Sequence, residues 1–141
     1  MFTRNMIVKG VALIVVTLVS FGAFAKDFSF SGHESNSQRK STLRFSISAD
    51  GSIKGTQSID KVCETNVKMS GAQLTFTGSV SSGYPQANGS FTGTSYHCNG
   101  KSSPNSGSIA IGYHAQFGVF VQLFAGDGST EWWHKPASNP F

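Results

Sequence analysis

Alternation of apolar and polar residues with a period of two is the feature that most constrains the fold of this chain. Apolar side chains occupy every second position in residues 28–30, 43–47, 74–76 and 119–123. Successive side chains of a strand point to opposite faces, so the pattern predicts half-buried β-strands with one wet face. Glycine-containing pairs that suit turns recur between these segments: Asp50-Gly51, Ser70-Gly71, Ser82-Gly83, Asn88-Gly89, Asn99-Gly100 and Asp127-Gly128. We therefore expect eight or nine short antiparallel strands.

The connections between these segments are too short for crossover helices, which favours an up-and-down meander. Such a sheet must close on itself or pack against a second sheet to protect its edges. The predicted fold is all-β: a small antiparallel up-and-down barrel of about eight strands with one disulfide. A two-sheet β-sandwich is the alternative. Roughly 14 residues for each strand and turn suit a soluble barrel that holds one small ligand.

Residues 1–25 have the pattern of a secretory signal peptide. Two basic residues precede an apolar run over residues 11–24, and a small-x-small cleavage site follows. A membrane anchor is the alternative, but the run is shorter than the roughly 20 residues that span a bilayer. We expect cleavage after Ala25, a single β-barrel domain over residues 26–141, and a secreted or periplasmic location.

The charge balance gives little support to a nucleic-acid partner. Two of the eleven basic residues, Arg4 and Lys9, lie in the leader, which leaves nine against seven acids and a net charge of +2. We expect no membrane span after cleavage. An outer-membrane barrel, suggested by the terminal Phe141, is disfavoured because Pro136 and Pro140 interrupt the last segment and the strands lack a lipid-facing apolar band.

Cys63 and Cys98 are the only cysteines. In an oxidising compartment such a pair predicts one structural disulfide, and two free thiols or two metal ligands are the alternatives. His33, His97, His114 and His134 are scattered, and no nucleophile motif such as G-x-S-x-G occurs. We expect no catalytic residues, no metal and no cofactor, although carboxylates brought together by folding would escape this reasoning.

Three local features carry further expectations. Asn88-Gly89-Ser90 matches a glycosylation sequon, but we interpret Asn88-Gly89 as a hairpin turn. Residues 102–107 are interpreted as a polar loop beside the disulfide, forming a mobile rim. Trp132 and Trp133 are adjacent, so on a strand they face opposite ways, one into the core and the other toward the surface or an interface.

Several segments resemble avidin- and streptavidin-like proteins. Residues 41–56 (STLRFSISADGSIKGT) resemble the second and third strands of that family, and residues 89–94 (GSFTGT) resemble another of its strands. Residues 121–124 (VQLF) and 126–133 (GDGSTEWW) are similar in order and distance to its last two strands. The resemblance implies an eight-stranded meander that binds biotin in its mouth, commonly as a dimer or tetramer. It also implies a disulfide between loops, as some bacterial members have.

The resemblance assigns a candidate ligand-binding set. Ser41 matches a serine that hydrogen-bonds biotin, and Asn36 lies one residue out of step with a family asparagine. Trp132 or Trp133 matches the tryptophan lent to a neighbouring subunit, which implies a homo-oligomer. The family's other cage tryptophans are absent from this sequence, and Phe76 and Phe91 are their nearest substitutes. Gln57 replaces a tyrosine of the family, and its C-terminal aspartate has no counterpart.

The sequence is consistent with two classes of function. The first is a secreted or periplasmic, non-enzymatic barrel that binds biotin or another small molecule in its mouth. The alternative is a secreted factor that binds a protein partner, such as a hydrolase inhibitor or a host-directed protein, through residues 102–107 or the exposed side of the tryptophan pair. A hydrolase would need a histidine and an acid that converge in a pocket.

Overall fold

The computed structural model describes residues 25–126, 128–135 and 138–141. The predicted leader lies outside the described residues except for Ala25, as does Asp127. Ten strands and no helix occur in the described part of the chain, which therefore contains no helix that is long and apolar enough to cross a membrane. The strands are β1 Lys26–Glu34, β2 Lys40–Ile47, β3 Ser52–Ile59, β4 Val62–Glu64, β5 Val67–Met69, β6 Gly71–Val80, β7 Ala87–Tyr96, β8 Ser102–His114, β9 Gly118–Ala125 and β10 Gly128–Lys135.

Eight of these strands form a closed antiparallel barrel in the order β1-β2-β3-β6-β7-β8-β9-β10. Each strand pairs with the next along this order, and β10 returns to pair with β1. The predicted up-and-down barrel is confirmed, and the sandwich alternative is wrong. The short strands β4 and β5 form a separate hairpin between β3 and β6 that the alternation did not predict.

The connections divide between two ends of the barrel. We call the mouth the end that carries residues 35–39, 60–70 and 97–101, and the base the opposite end. The predicted disulfide is confirmed: Cys63 on β4 and Cys98 after β7 are bonded, with their Cα atoms 5.5 Å apart. It therefore ties two of the mouth connections together.

Alternation along the strands places the apolar side chains inside the barrel. At the base, the ring centroids of Phe28 and Phe45 lie 5.3 Å apart, and Phe141 stacks on Phe45 at 6.3 Å. Buried leucine, isoleucine, valine and phenylalanine side chains fill the middle of the barrel. The base and the middle are thus packed with apolar side chains, and the mouth is the end left to hold a ligand.

The interpretation of Asn88-Gly89 as a turn is wrong. Asn88 lies inside β7 and pairs with Ser79 on one side and Ala110 on the other, because glycine at position 89 lets two backbones approach closely. A Cβ at Gly89 would lie 2.0 Å from the Thr77 carbonyl oxygen. The β6–β7 turn is instead at residues 81–86.

The interpretation of residues 102–107 as a mobile loop is also wrong. These residues form the first half of β8 and pair with β7, where Asn105 lies opposite Gly93. The alternation is hidden there because the inward positions carry Ser103, Asn105 and Gly107 rather than apolar residues. Asp50-Gly51 and Asn99-Gly100 are turns as predicted, with φ of 87° at Gly51 and 83° at Gly100, in the left-handed region that favours glycine.

Candidate functional site at the barrel mouth

A cavity of about 270 Å³ opens at the mouth. Apolar and polar side chains line it in similar number, and a concave site of this kind can hold a small organic molecule. The apolar wall includes Trp132, Phe91, Leu123, Ile59 and Ala72. The polar groups include Arg39, Ser95, Asn105 and Thr130, and the Asn105 Nδ2 donates a hydrogen bond of 3.0 Å to the Ser95 hydroxyl.

Arg39 is held across the mouth by an ion pair with Glu34. Its Nη2 donates to Glu34 Oε2 at 2.8 Å and its Nε to Oε1 at 3.2 Å, while Nη1 donates to the Ser70 carbonyl oxygen. The guanidinium carbon lies 5.1 Å from the centre of the Trp132 ring, a cation–π arrangement. A guanidinium has five N–H donors, so two remain without a partner among the described residues.

The Glu34 carboxylate is the anchor that fixes this arginine. Burial raises the pKa of this carboxyl, but hydrogen bonds from Arg39 and Ser37 and the charge of Arg39 outweigh it and lower the pKa overall. Glu34 therefore stays ionised at neutral pH. The ion pair closes the short connection between β1 and β2 and directs the cation over the cavity.

The two tryptophans lie on opposite faces of β10, as the alternation predicts. Trp132 is inside, 1% exposed, and its Nε1 donates to the Thr130 hydroxyl at 2.9 Å. Trp133 is outside and half-buried, with its ring 4.9 Å from that of Phe120 and 5.6 Å from that of Phe117. Only Trp132 can contact a ligand in the mouth.

A buried polar network joins three strands of the barrel interior. Ser41 Oγ lies 2.8 Å from His134 Nε2, and Gln57 Nε2 donates to Ser41 Oγ at 2.9 Å. The other ring nitrogen, Nδ1, lies 3.3 Å from the Val119 carbonyl oxygen, which can only accept. The pattern assigns the proton to Nδ1, so Nε2 accepts from the Ser41 hydroxyl.

The pKa of His134 is lowered to about 4. Burial is the main cause and the neighbouring His33 adds to it, while the hydrogen bond to Val119 acts in the opposite direction. The imidazole is therefore neutral at pH 7. The Gln57 Oε1 atom is buried and has no hydrogen-bond partner among the residues that the structure describes. This amide oxygen is therefore the one acceptor of the network that is not satisfied by described protein groups, and a buried acceptor without a partner lowers stability.

The serine and histidine do not form a complete hydrolytic triad. The group that orients the ring is the carbonyl of Val119 rather than a carboxylate. Ser41 is 3% exposed and His134 is fully buried, and neither lines the mouth cavity. The network is a structural element beneath the cavity.

The structure brings only part of the predicted ligand-binding set to the mouth. Trp132 and Phe91 line the cavity, and Phe76 is buried opposite Phe91 on the neighbouring strand. Ser41 is in the polar network, Asn36 is exposed in the β1–β2 connection, and Trp133 is outside. Ser41 is thus already hydrogen-bonded within the protein.

Sequence reasoning missed Arg39, Gln57 and His134. For the last two a signal was present: each occupies an inward position next to an apolar inward residue of its strand, Gln57 before Ile59 and His134 after Trp132. A polar residue at an inward position indicates either a buried network or a site. Arg39 lies between strands and carries no such signal.

A larger groove, about 700 Å³, lies on the outer wall over β1, β2, β3 and β6. Exposed Arg44, Lys54, Asp27 and several threonine and serine residues line it. Charged and hydroxyl side chains facing solvent are the ordinary outer surface of a barrel, so this groove is a weaker candidate than the more concave mouth.

Stability should fall on mild acidification because of His134. With a pKa of about 4 in the folded chain and roughly 6.5 when unfolded, only the unfolded state takes up a proton between these values. The free energy of unfolding should therefore decrease by about 3 kcal/mol as the pH falls from 6.5 to 4. Urea unfolding at successive pH values measures it.

The matched control is His134→Gln, which cannot titrate there. Its unfolding free energy should be nearly flat down to about pH 5, below which carboxylates such as Glu34 contribute. An equal pH dependence in the variant, or an NMR titration that places the His134 pKa near its ordinary value, would contradict the prediction.

Comparisons with protein-family models, with curated proteins and with solved structures find no match to this chain.

Proposed function

We propose that this protein is an exported, non-enzymatic barrel that binds a small organic molecule in its mouth. The observation that carries the proposal is the mouth cavity: an apolar wall with Trp132 and Phe91, beneath an arginine that keeps two N–H donors unused among the described residues. The packed base leaves the mouth as the accessible end. Its cavity is close to the lower end of the range of roughly 300–1,000 Å³ for ligand sites.

The chemistry of the walls defines the ligand class. An apolar ring would pack against Trp132 and Phe91. An acceptor group, best a carboxylate, would accept hydrogen bonds from the remaining N–H groups of Arg39. Biotin combines a bicyclic ring system, one half of which is an apolar tetrahydrothiophene, with a carboxylate, and it is also the ligand that the avidin-like resemblance implies. We take it as the first probe.

Binding rather than catalysis is the activity that the site supports. The buried histidine at the network is oriented by a backbone carbonyl, and its serine partner is outside the cavity. A ligand in the mouth would contact Arg39, asparagine and hydroxyl groups, none of which is activated as a nucleophile by a neighbouring base. A secreted or periplasmic location is part of the proposal and is supported by the disulfide.

The test is calorimetric titration of biotin and its neutral amide into protein expressed from the full sequence in a bacterial periplasm. Intact mass on the same sample reports cleavage after Ala25. We expect one site per chain for biotin, with affinity about tenfold weaker for the amide and for Arg39→Gln, because charge-assisted hydrogen bonds are lost.

Arg44→Gln is the control, because Arg44 is exposed on the outer wall, away from the mouth. It should bind biotin like the parent protein. Absence of heat, together with an unchanged melting temperature, would exclude biotin as the ligand. Equal affinities of Arg39→Gln and the parent would exclude the assigned role of the guanidinium.

A further inference from the structure

A second concave surface crosses the outer wall where the barrel closes between β10 and β1. Two adjoining hollows of about 360 and 660 Å³ share Ser31, Gly32 and His33. We call their union the seam groove. It begins at Trp133 and at Phe117, which lies in a connection at the base, and it ends at Gln38 and Lys40 near the mouth.

Aromatic rings form one end of the seam groove. Phe117 is 44% exposed, and its ring meets that of Trp133 at 62° with centroids 5.6 Å apart, so the two faces make a corner. The Phe120 ring packs against the Trp133 ring, with the two ring centroids 4.9 Å apart. Aromatic faces are electron-rich and attract the weakly positive C–H groups of a sugar ring, which makes this corner a stacking platform.

The rest of the groove is basic and polar. Lys135, Lys40 and His33 line it, and none of its lining residues is acidic. The Lys135 Nζ lies 5.9 Å from the centre of the Phe117 ring, beside the stacking corner. Ser31, Ser37 and Gln38 add hydroxyl and amide groups. An anionic ligand rich in hydroxyl groups matches this lining.

The backbone around the groove argues against an extended peptide. Within the groove, residues 31–33 of β1 pair with β10 on one side and with β2 on the other, so the groove floor offers no free edge for an added strand. Recognition must come from side chains. Gly32 is an inward position where β1 and β10 approach closely, because a Cβ there would lie 1.9 Å from the Trp133 carbonyl oxygen.

We infer that the seam groove binds an acidic carbohydrate, with a pyranose ring stacked on Trp133 and Phe117 and a carboxylate near Lys135. The seam groove shares no lining residue with the mouth cavity. The two sites can therefore be tested separately on one sample.

The probe is a short oligogalacturonate, with the same oligosaccharide reduced at its carboxyl groups as the neutral counterpart. The chain has two tryptophans, so its ¹H–¹⁵N spectrum contains two indole signals. We expect the Trp133 signal to shift saturably and the Trp132 signal to stay in place. Affinity should fall about tenfold for Phe117→Ala, for Lys135→Gln and for the neutral counterpart.

Lys54→Gln removes an exposed lysine from another part of the wall and is the control, expected to bind like the parent. An unmoved Trp133 signal at millimolar oligogalacturonate would overturn the inference. So would equal binding of Phe117→Ala, or equal competition by tetraglutamate, which would show that charge alone is recognised and would favour a protein partner. A shift of Trp132 alone would support the mouth and refute the groove.

Discussion

Replacement of Trp132 by alanine should lower the free energy of unfolding by about 3 to 5 kcal/mol, the cost of removing a large buried aromatic side chain. The indole is 1% exposed inside the barrel, hydrogen-bonds Thr130 and supports the Arg39 guanidinium on its face. Truncation would remove these contacts and open a void at the mouth. Urea denaturation followed by far-ultraviolet circular dichroism measures the loss.

Trp133→Ala is the matched control, because it removes the same side chain from the next position on the outer face. We expect it to cost about 1 kcal/mol, the ordinary effect of a partly exposed substitution. If the two variants were destabilised equally, or Trp133→Ala more, the assignment of inner and outer tryptophan would be wrong.

Loss of the Cys63–Cys98 disulfide should cost about 3 to 4 kcal/mol. The bond closes a loop with a sequence separation of 35, and in the chain-entropy account its absence gives the unfolded chain more freedom. The double variant Cys63→Ser with Cys98→Ser should unfold at a correspondingly lower urea concentration than the oxidised parent.

Reduction of the parent protein provides an independent check of the disulfide. The reduced parent should unfold close to the double variant, since both lack the same constraint. An unchanged urea midpoint after complete reduction, verified by thiol titration, would show that the unfolded chain is not measurably restrained by this bond. The prediction would then fail.

The barrel itself was predictable from sequence because its inner face is marked by regular apolar alternation. Leu43, Phe45 and Ile47 on β2, or Val119, Val121 and Leu123 on β9, establish which face is inside. Once the strands were predicted and no crossover helix was available, the need to protect the edges favoured a closed barrel and left a two-sheet sandwich as the alternative. The disulfide followed from the presence of only two cysteines.

The errors have a common physical cause, which is that pairing overrides local preference. Asn88-Gly89 suits a turn, yet long strands on both sides draw it into the sheet. Residues 102–107 look like a loop because their inward positions are small or polar near the mouth. A polar interior at that end is where a cavity can form, so the misread segment contributes Asn105 to the candidate site.

The candidate site was harder to predict because its parts are far apart in the chain. Arg39 and Trp132 come from opposite ends of the barrel sequence and meet only because β10 closes beside β1. The resemblance placed Ser41 at a ligand, whereas its hydroxyl is bonded to Gln57 and His134. Such pairings depend on barrel closure and register, which a single sequence does not report.

The most direct test of a ligand site at the mouth is the response of the two indole N–H signals to biotin. Trp132→Phe and Trp133→Phe assign the signals, and calorimetry on the same sample gives the stoichiometry. We predict that the Trp132 signal shifts to saturation at one biotin per chain while the Trp133 signal stays in place. If neither signal moves up to millimolar biotin, biotin is not the ligand, and a shift of Trp133 alone would contradict a site at the mouth.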